Sequence, residues 1–171
     1  MATSTARRHR IRIALAAGGI VVAAAVAITV EANSATADSG REQVIGERGA
    51  EVMPFDLDAT THRFEPILNG GLQTVTADTP TDREQIDLIQ QHLREEATAF
   101  TRGEFDDPAR IHGTDMPGLT TLQANANRID ITYQSRPDGG EIRYTTNDPA
   151  LVTALHNWFA AQRTDHQGHG G

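Results

Sequence analysis

The sequence predicts an α+β domain: two β-hairpin–helix units that form a four-stranded antiparallel sheet with two helices on one face. Three observations carry this. Two stretches alternate apolar and polar residues on either side of a glycine pair, and each is followed by a proline and then by apolar residues at three- and four-residue steps. The two copies are also evenly spaced, since Gly70-Gly71 and Gly139-Gly140 lie 69 residues apart, as do Pro80 and Pro149. Period two marks half-buried strands and period 3.6 marks amphipathic helices; a two-layer sandwich of sheet and helices buries both kinds of apolar surface.

In chain order, the first unit runs from Thr60 to Ala77, with a turn expected at Asn69-Gly70-Gly71 because glycine accepts the positive φ of tight hairpin turns. Thr81 and Glu84 then have capping-box spacing behind Pro80, so a helix is expected to about Arg102 with Ile86, Ile89, Leu93, Ala97 and Phe100 as its apolar stripe and Gly103 as its stop. Residues 103–127 contain Asp-Asp-Pro, His-Gly and Met-Pro-Gly breaks and are read as a long ordered loop with a helical turn at Leu119–Leu122. The second hairpin alternates Ile129, Ile131 and Tyr133 with polar residues, turns at Asp138-Gly139-Gly140 and returns through Ile142 and Tyr144. Asp148 as N-cap and Pro149 at the first helical position open a last helix with Leu151, Leu155, Trp158 and Phe159 on its apolar side.

Ahead of this domain, Arg7, Arg8, Arg10 and Arg12 precede an unbroken apolar run from Ile13 to Val30 and then Ala35-Thr36-Ala37. A positive segment, an apolar segment and a small-residue cleavage site form a secretory signal. Its length of 18 residues also approaches the roughly 20 that span a bilayer, so residues 1–37 read as a signal peptide or an N-terminal anchor. Arginines on its N-terminal side keep that end in the cytoplasm. The remainder is therefore expected outside the cytoplasm, secreted or anchored to the outer face of the membrane, which it meets only through this segment. Residues 38–51 read as a polar spacer, 52–164 as one domain, and 165–171 as a flexible histidine-bearing tail.

Composition removes several classes of function. From Asp38 onward there are 11 arginines against 22 acids, a net charge of −11, which repels phosphate backbones and makes nucleic acid an unsuitable partner. The chain has no cysteine and no lysine. It therefore has no disulfides, thiolate nucleophile, Schiff base or P-loop lysine. From Asp38 onward the serines are Ser39 and Ser135, and neither sits in a nucleophile elbow.

What remains is a donor set of histidines with two methionines: Met53, His62, His92, His112, Met116, His156, His166 and His169. Imidazole with thioether suits copper, and imidazole alone suits zinc or nickel. His112-Gly-Thr-Asp-Met116 places one of each within the predicted loop. His92 and His156 sit on the shoulders of their helical stripes, and Glu96, one turn after His92, is placed as a ligand or as a partner that orients one. Asp56, Asp58, Asp106, Asp107 and Asp115 lie near loops, where carboxylates serve general acid–base chemistry or simply face water. A solitary histidine is more often a hydrogen-bonded structural residue than a ligand, and methionine is a common core filler.

The segments Met53-Pro-Phe-Asp-Leu-Asp-Ala-Thr-Thr-His62, Gln85–Ala97, Gly103–Gly118 and Asp148–Phe159 resemble those of a family of small exported bacterial proteins commonly labelled "aspartate carbamoyltransferase". Together they reach across most of residues 52–166. The chain has none of the two α/β domains, the Ser-Thr-Arg-Thr phosphate loop or the lysine that such a transferase needs. The resemblance implies a shared site at His62, His92, His112, Met116 and His156, and no catalytic residue.

The expected function is thus a non-enzymatic exported protein binding a transition metal, copper ahead of zinc, through His62, His92, His112, Met116 and His156. The alternatives are an envelope module that binds a small molecule or a protein and keeps its histidines for structure, and, third, a hydrolase.

Overall fold

The computed structural model describes residues 40–165. They form helix α1 over residues 40–52, strands β1 (Thr60–Ile67) and β2 (Gly70–Ala77), helices α2 (Arg83–Thr101), α3 (Asp106–His112) and α4 (Leu119–Ala124), strands β3 (Asp130–Arg136) and β4 (Gly139–Thr145), and helix α5 (Pro149–Asp165). Short 3-10 turns at Leu57–Ala59 and Ala126–Arg128 lead into β1 and β3. The strands make one antiparallel sheet in the order β1-β2-β4-β3, as the α+β reading requires. The signal or anchor of residues 1–37 and the tail histidines His166 and His169 lie outside the described residues. Among the described residues, no helix is long and apolar enough to cross a membrane.

The 69-residue spacing is a structural symmetry of the sheet. Thr61 pairs with Thr76 in the first hairpin and Asp130 with Thr145 in the second, and the two central strands pair Gly71 with Tyr144 and Val75 with Gly140. The turns, however, are Leu68-Asn69 and Pro137-Asp138, ahead of the glycine pairs expected to form them. Gly70 and Gly139 instead open the two central strands, each against the backbone of the other strand. A Cβ on Gly70 would lie 1.9 Å from the Tyr144 carbonyl oxygen and one on Gly139 2.0 Å from that of Val75, so the glycines serve strand approach and not chain reversal.

One side of the sheet carries Phe64, Val75, Ile142 and Tyr144 and meets α2 and α5. The Tyr144 ring lies 6.3 Å from Phe100 of α2 and 5.6 Å from Phe159 of α5, and Phe64 packs edge-on to Phe159 at 5.5 Å. Phe100 stacks on Phe105 at 4.4 Å with the rings 6° apart, and Trp158 stands edge-on to both. Such pairs contribute about 0.5–1.5 kcal/mol each beyond burial, and they tie the end of α2 to α5.

Three local expectations are revised. The cap of α2 is Asp82, whose carboxylate accepts from the Gln85 amide at 3.2 Å, one residue after the expected Thr81. The spacer is partly helical: residues 40–52 form α1, with Ile45 buried and Gly49 against Leu57. Its few apolar residues, Val44, Ile45, Ala50 and Val52, sit among charges and three glycines and mark no stripe, and tertiary contact stabilises what propensity does not. The long loop is mostly two short helices, α3 and α4, anchored by Ile111, Met116, Leu119 and Leu122. Pro108 sits within the first turn of α3, where its missing N–H costs nothing.

Candidate metal site on helices α2 and α3

Helix α2 ends cleanly, and that ending builds the site. The Gly103 amide donates to Phe100 O at 3.0 Å and the Glu104 amide to Ala99 O at 3.1 Å, the paired bonds of a Schellman stop. The chain then reverses, and Phe105 enters the core against Phe100. The first turn of α3 is thereby set beside the last turns of α2. His92 and Glu96, at i and i+4, share one ridge of α2, and Asp107 arrives from α3.

One donor atom from each of His92, Glu96 and Asp107 lies within 4.8 Å of the other two, and His92 Nε2 is 3.8 Å from Glu96 Oε1. Zinc ligands about 2.0–2.2 Å from the ion stand about 3.4 Å apart in a tetrahedral site, so small side-chain rotations would close the set around an ion. His92 Nε2 is buried and makes no hydrogen bond to any described residue. The three residues line a cleft of about 210 Å3 that is also walled by Glu95, Glu104 and Asp106.

Electrostatics set the charge state of this cluster. Burial, reinforced by the negative charge of Asp107, pushes the Glu96 carboxyl up to about 8, with a hydrogen bond from Gln73 opposing the rise. Burial also lowers the His92 imidazole below its ordinary value, against the charges of Asp107 and Glu95. At neutral pH the pair is therefore a protonated carboxyl beside a neutral imidazole. Gln73 itself is fixed by Tyr144, whose hydroxyl donates to Gln73 Oε1 at 2.7 Å; burial and then the Glu96 charge raise the phenol well above its ordinary value, keeping it a donor. The line Tyr144–Gln73–Glu96 orients the carboxyl from behind.

The five residues singled out in the sequence are dispersed differently. His92 belongs to the cluster. His62 on β1 and His112 at the end of α3 line a small internal cavity that shares Glu96 with the cleft. The Phe55 ring stands 5.7 Å from both His62 and His92 and so lies beside each imidazole. His156 is far from the cluster in role: its Nε2 lies 3.0 Å from both Ile67 O and Gly70 O, donating across the first hairpin's turn. Met116 is buried in the apolar core. Glu96 and Asp107 were visible as carboxylates, whereas Gln73 went unnoticed. Its signal was its phase, a polar residue at an inward position of the alternation Gly71, Gln73, Val75, Ala77.

No protein-family model matches this chain, and neither a curated protein nor a solved structure matches it.

Proposed function

We propose that this protein is exported through residues 1–37 and binds a divalent transition-metal ion through His92, Glu96 and Asp107. The observation that carries the reading is the convergence of an imidazole and two carboxylates, from two helices, within 4.8 Å at the wall of an open cleft. One nitrogen and two oxygen donors suit Zn2+ or Cu2+. With no sulfur among the three ligands, Cu(I) has no soft partner there, so zinc is placed ahead of copper. His62 and His112 then serve the interior behind Glu96, and His156 serves the hairpin.

The metal-free protein, with His166 and His169 changed to alanine to silence the tail, is expected to take up about one equivalent of Zn2+ by calorimetry. His92→Ala and Asp107→Asn should each weaken binding by 10-fold or more, while His156→Ala leaves it unchanged. Equal affinity in all four proteins would sink the assignment. A metal-dependent hydrolase is a second reading, favoured by the cleft beside the three donors, because a catalytic zinc keeps one position for water. Zinc-dependent turnover of ester or phosphoester substrates, lost in His92→Ala, distinguishes it from a binding protein.

A further inference from the structure

Next to the cleft, and sharing Glu96 and Phe100 with it, a narrow, partly enclosed cavity is lined by the polar residues His62, Gln73, Glu96, His112, Trp158 and Gln162 together with apolar side chains. It offers about 20 Å3 to the centre of a water-sized sphere. Two of its lining residues each carry a polar atom, Trp158 Nε1 and Gln162 Oε1, that is buried without a hydrogen bond to any described residue. Trp158 is 0 % and Gln162 4 % exposed. They are one turn apart on α5, at i and i+4, and so share a face of the helix. Two unpaired buried polar groups each cost about 1–3 kcal/mol, and their occurrence in one cavity points to a common partner.

The chemistry of the two atoms selects that partner. Indole N–H can only donate, and an amide oxygen can only accept, so the ligand must accept one hydrogen bond and donate another. An ammonium ion has no lone pair to accept with, and a halide has no hydrogen to give. A larger alcohol or amide exceeds the volume. A single water fits all three conditions, since a polar cavity needs about 10–15 Å3 by this measure and two to four partners to hold one.

We infer that this cavity is a specific internal water site, in which one water accepts from Trp158 Nε1 and donates to Gln162 Oε1. The site joins α5 to Glu96, which with Phe100 lines both the cavity and the cleft. It stands on the orphaned atoms and the cavity alone and does not depend on metal binding.

Trp158 is the only tryptophan in the chain, so its indole N–H gives a single, unambiguous magnetic resonance signal in the full-length protein. That signal is expected to show cross-relaxation to water with opposite signs in laboratory-frame and rotating-frame experiments, the mark of a held water and not of proton exchange. Gln162→Leu should abolish the peak and lower Tm by about 3–6 °C, because it removes one of the water's partners. If the cavity is dry, the peak is missing in the parent protein, and Gln162→Leu raises Tm by removing an unpaired amide. Either result overturns the inference.

Discussion

Shifting the numbering by 69 residues lays the first hairpin on the second, and the inward positions of the two then differ in kind. His62, Phe64, Gln73 and Val75 on β1 and β2 correspond to Ile131, Tyr133, Ile142 and Tyr144 on β3 and β4. Two apolar positions of the second hairpin are thus polar in the first. Burying polar groups costs free energy unless they are hydrogen-bonded, and here the cost is met by a network, with Gln73 held by Tyr144 and in turn holding Glu96. The same half is followed, after α2, by α3, which brings Asp107 and His112 back toward it. Equivalent backbones therefore carry different work: one half completes the core, and the other trades core for a polar centre.

Three measurements sharpen that contrast. The largest effect is expected from Glu96, which holds a proton in the folded state up to about 8 but releases it near 4.5 when unfolded. The folded protein then binds more protons than the unfolded chain between those values, so stability is full below about pH 4.5 and falls as pH rises toward 8. The slope from this residue approaches about 1.4 kcal/mol per pH unit. With chelator present, Glu96→Gln should match the parent near pH 4.5 and exceed it in stability at pH 8 in denaturant titrations. Parallel curves across that range would contradict the assigned charge state.

Next comes transplantation of polarity into the apolar half. Ile142 is fully buried and is the counterpart of Gln73. Ile142→Gln would set a second amide directly opposite Gln73, whose own amide is already engaged by Tyr144 and Glu96, and should cost about 3 kcal/mol, read as a drop in the denaturation midpoint. A cost below about 1 kcal/mol would mean that the halves tolerate polarity equally. The smallest difference lies in the paired glycines. A Cβ on Gly71 would lie 2.3 Å from the Phe159 ring, whereas one on Gly140 would meet Leu93 and Tyr133 at 3.1 Å. Gly71→Ala should therefore cost about 1–3 kcal/mol; Gly140→Ala should cost less, the neighbouring side chains having only a few tenths of an ångström to yield.

Much of this fold was legible in the residues. The glycine and proline spacing, the alternation in both hairpins and the stripes of the two long helices gave the strand and helix order, because each pattern is local and repeats several times. Helix α1 and the α3–α4 segment were not legible. A six- or seven-residue helix has too few turns to show a period, and the apolar residues of α1, Val44, Ile45, Ala50 and Val52, are too few to mark a stripe. For the site, His92 with Glu96 was readable because four residues make one helical turn. Their meeting with Asp107 was not, since it depends on the reversal at Gly103 and on the Phe100–Phe105 stack.

By itself the sequence determined the α+β class, the two-fold spacing of its hairpins, the acidic charge and the absence of cysteine and lysine chemistry, all of which follow from composition and short-range periodicity. Only the tertiary structure decided which of the many histidines and carboxylates share a centre. It set Asp107 against His92 and Glu96, sent Met116 into the core and turned His156 into a hairpin clamp. The physical reason is that side-chain chemistry is fixed at each position along the chain, whereas the desolvation and proximity that give it a role arise only when distant segments pack together.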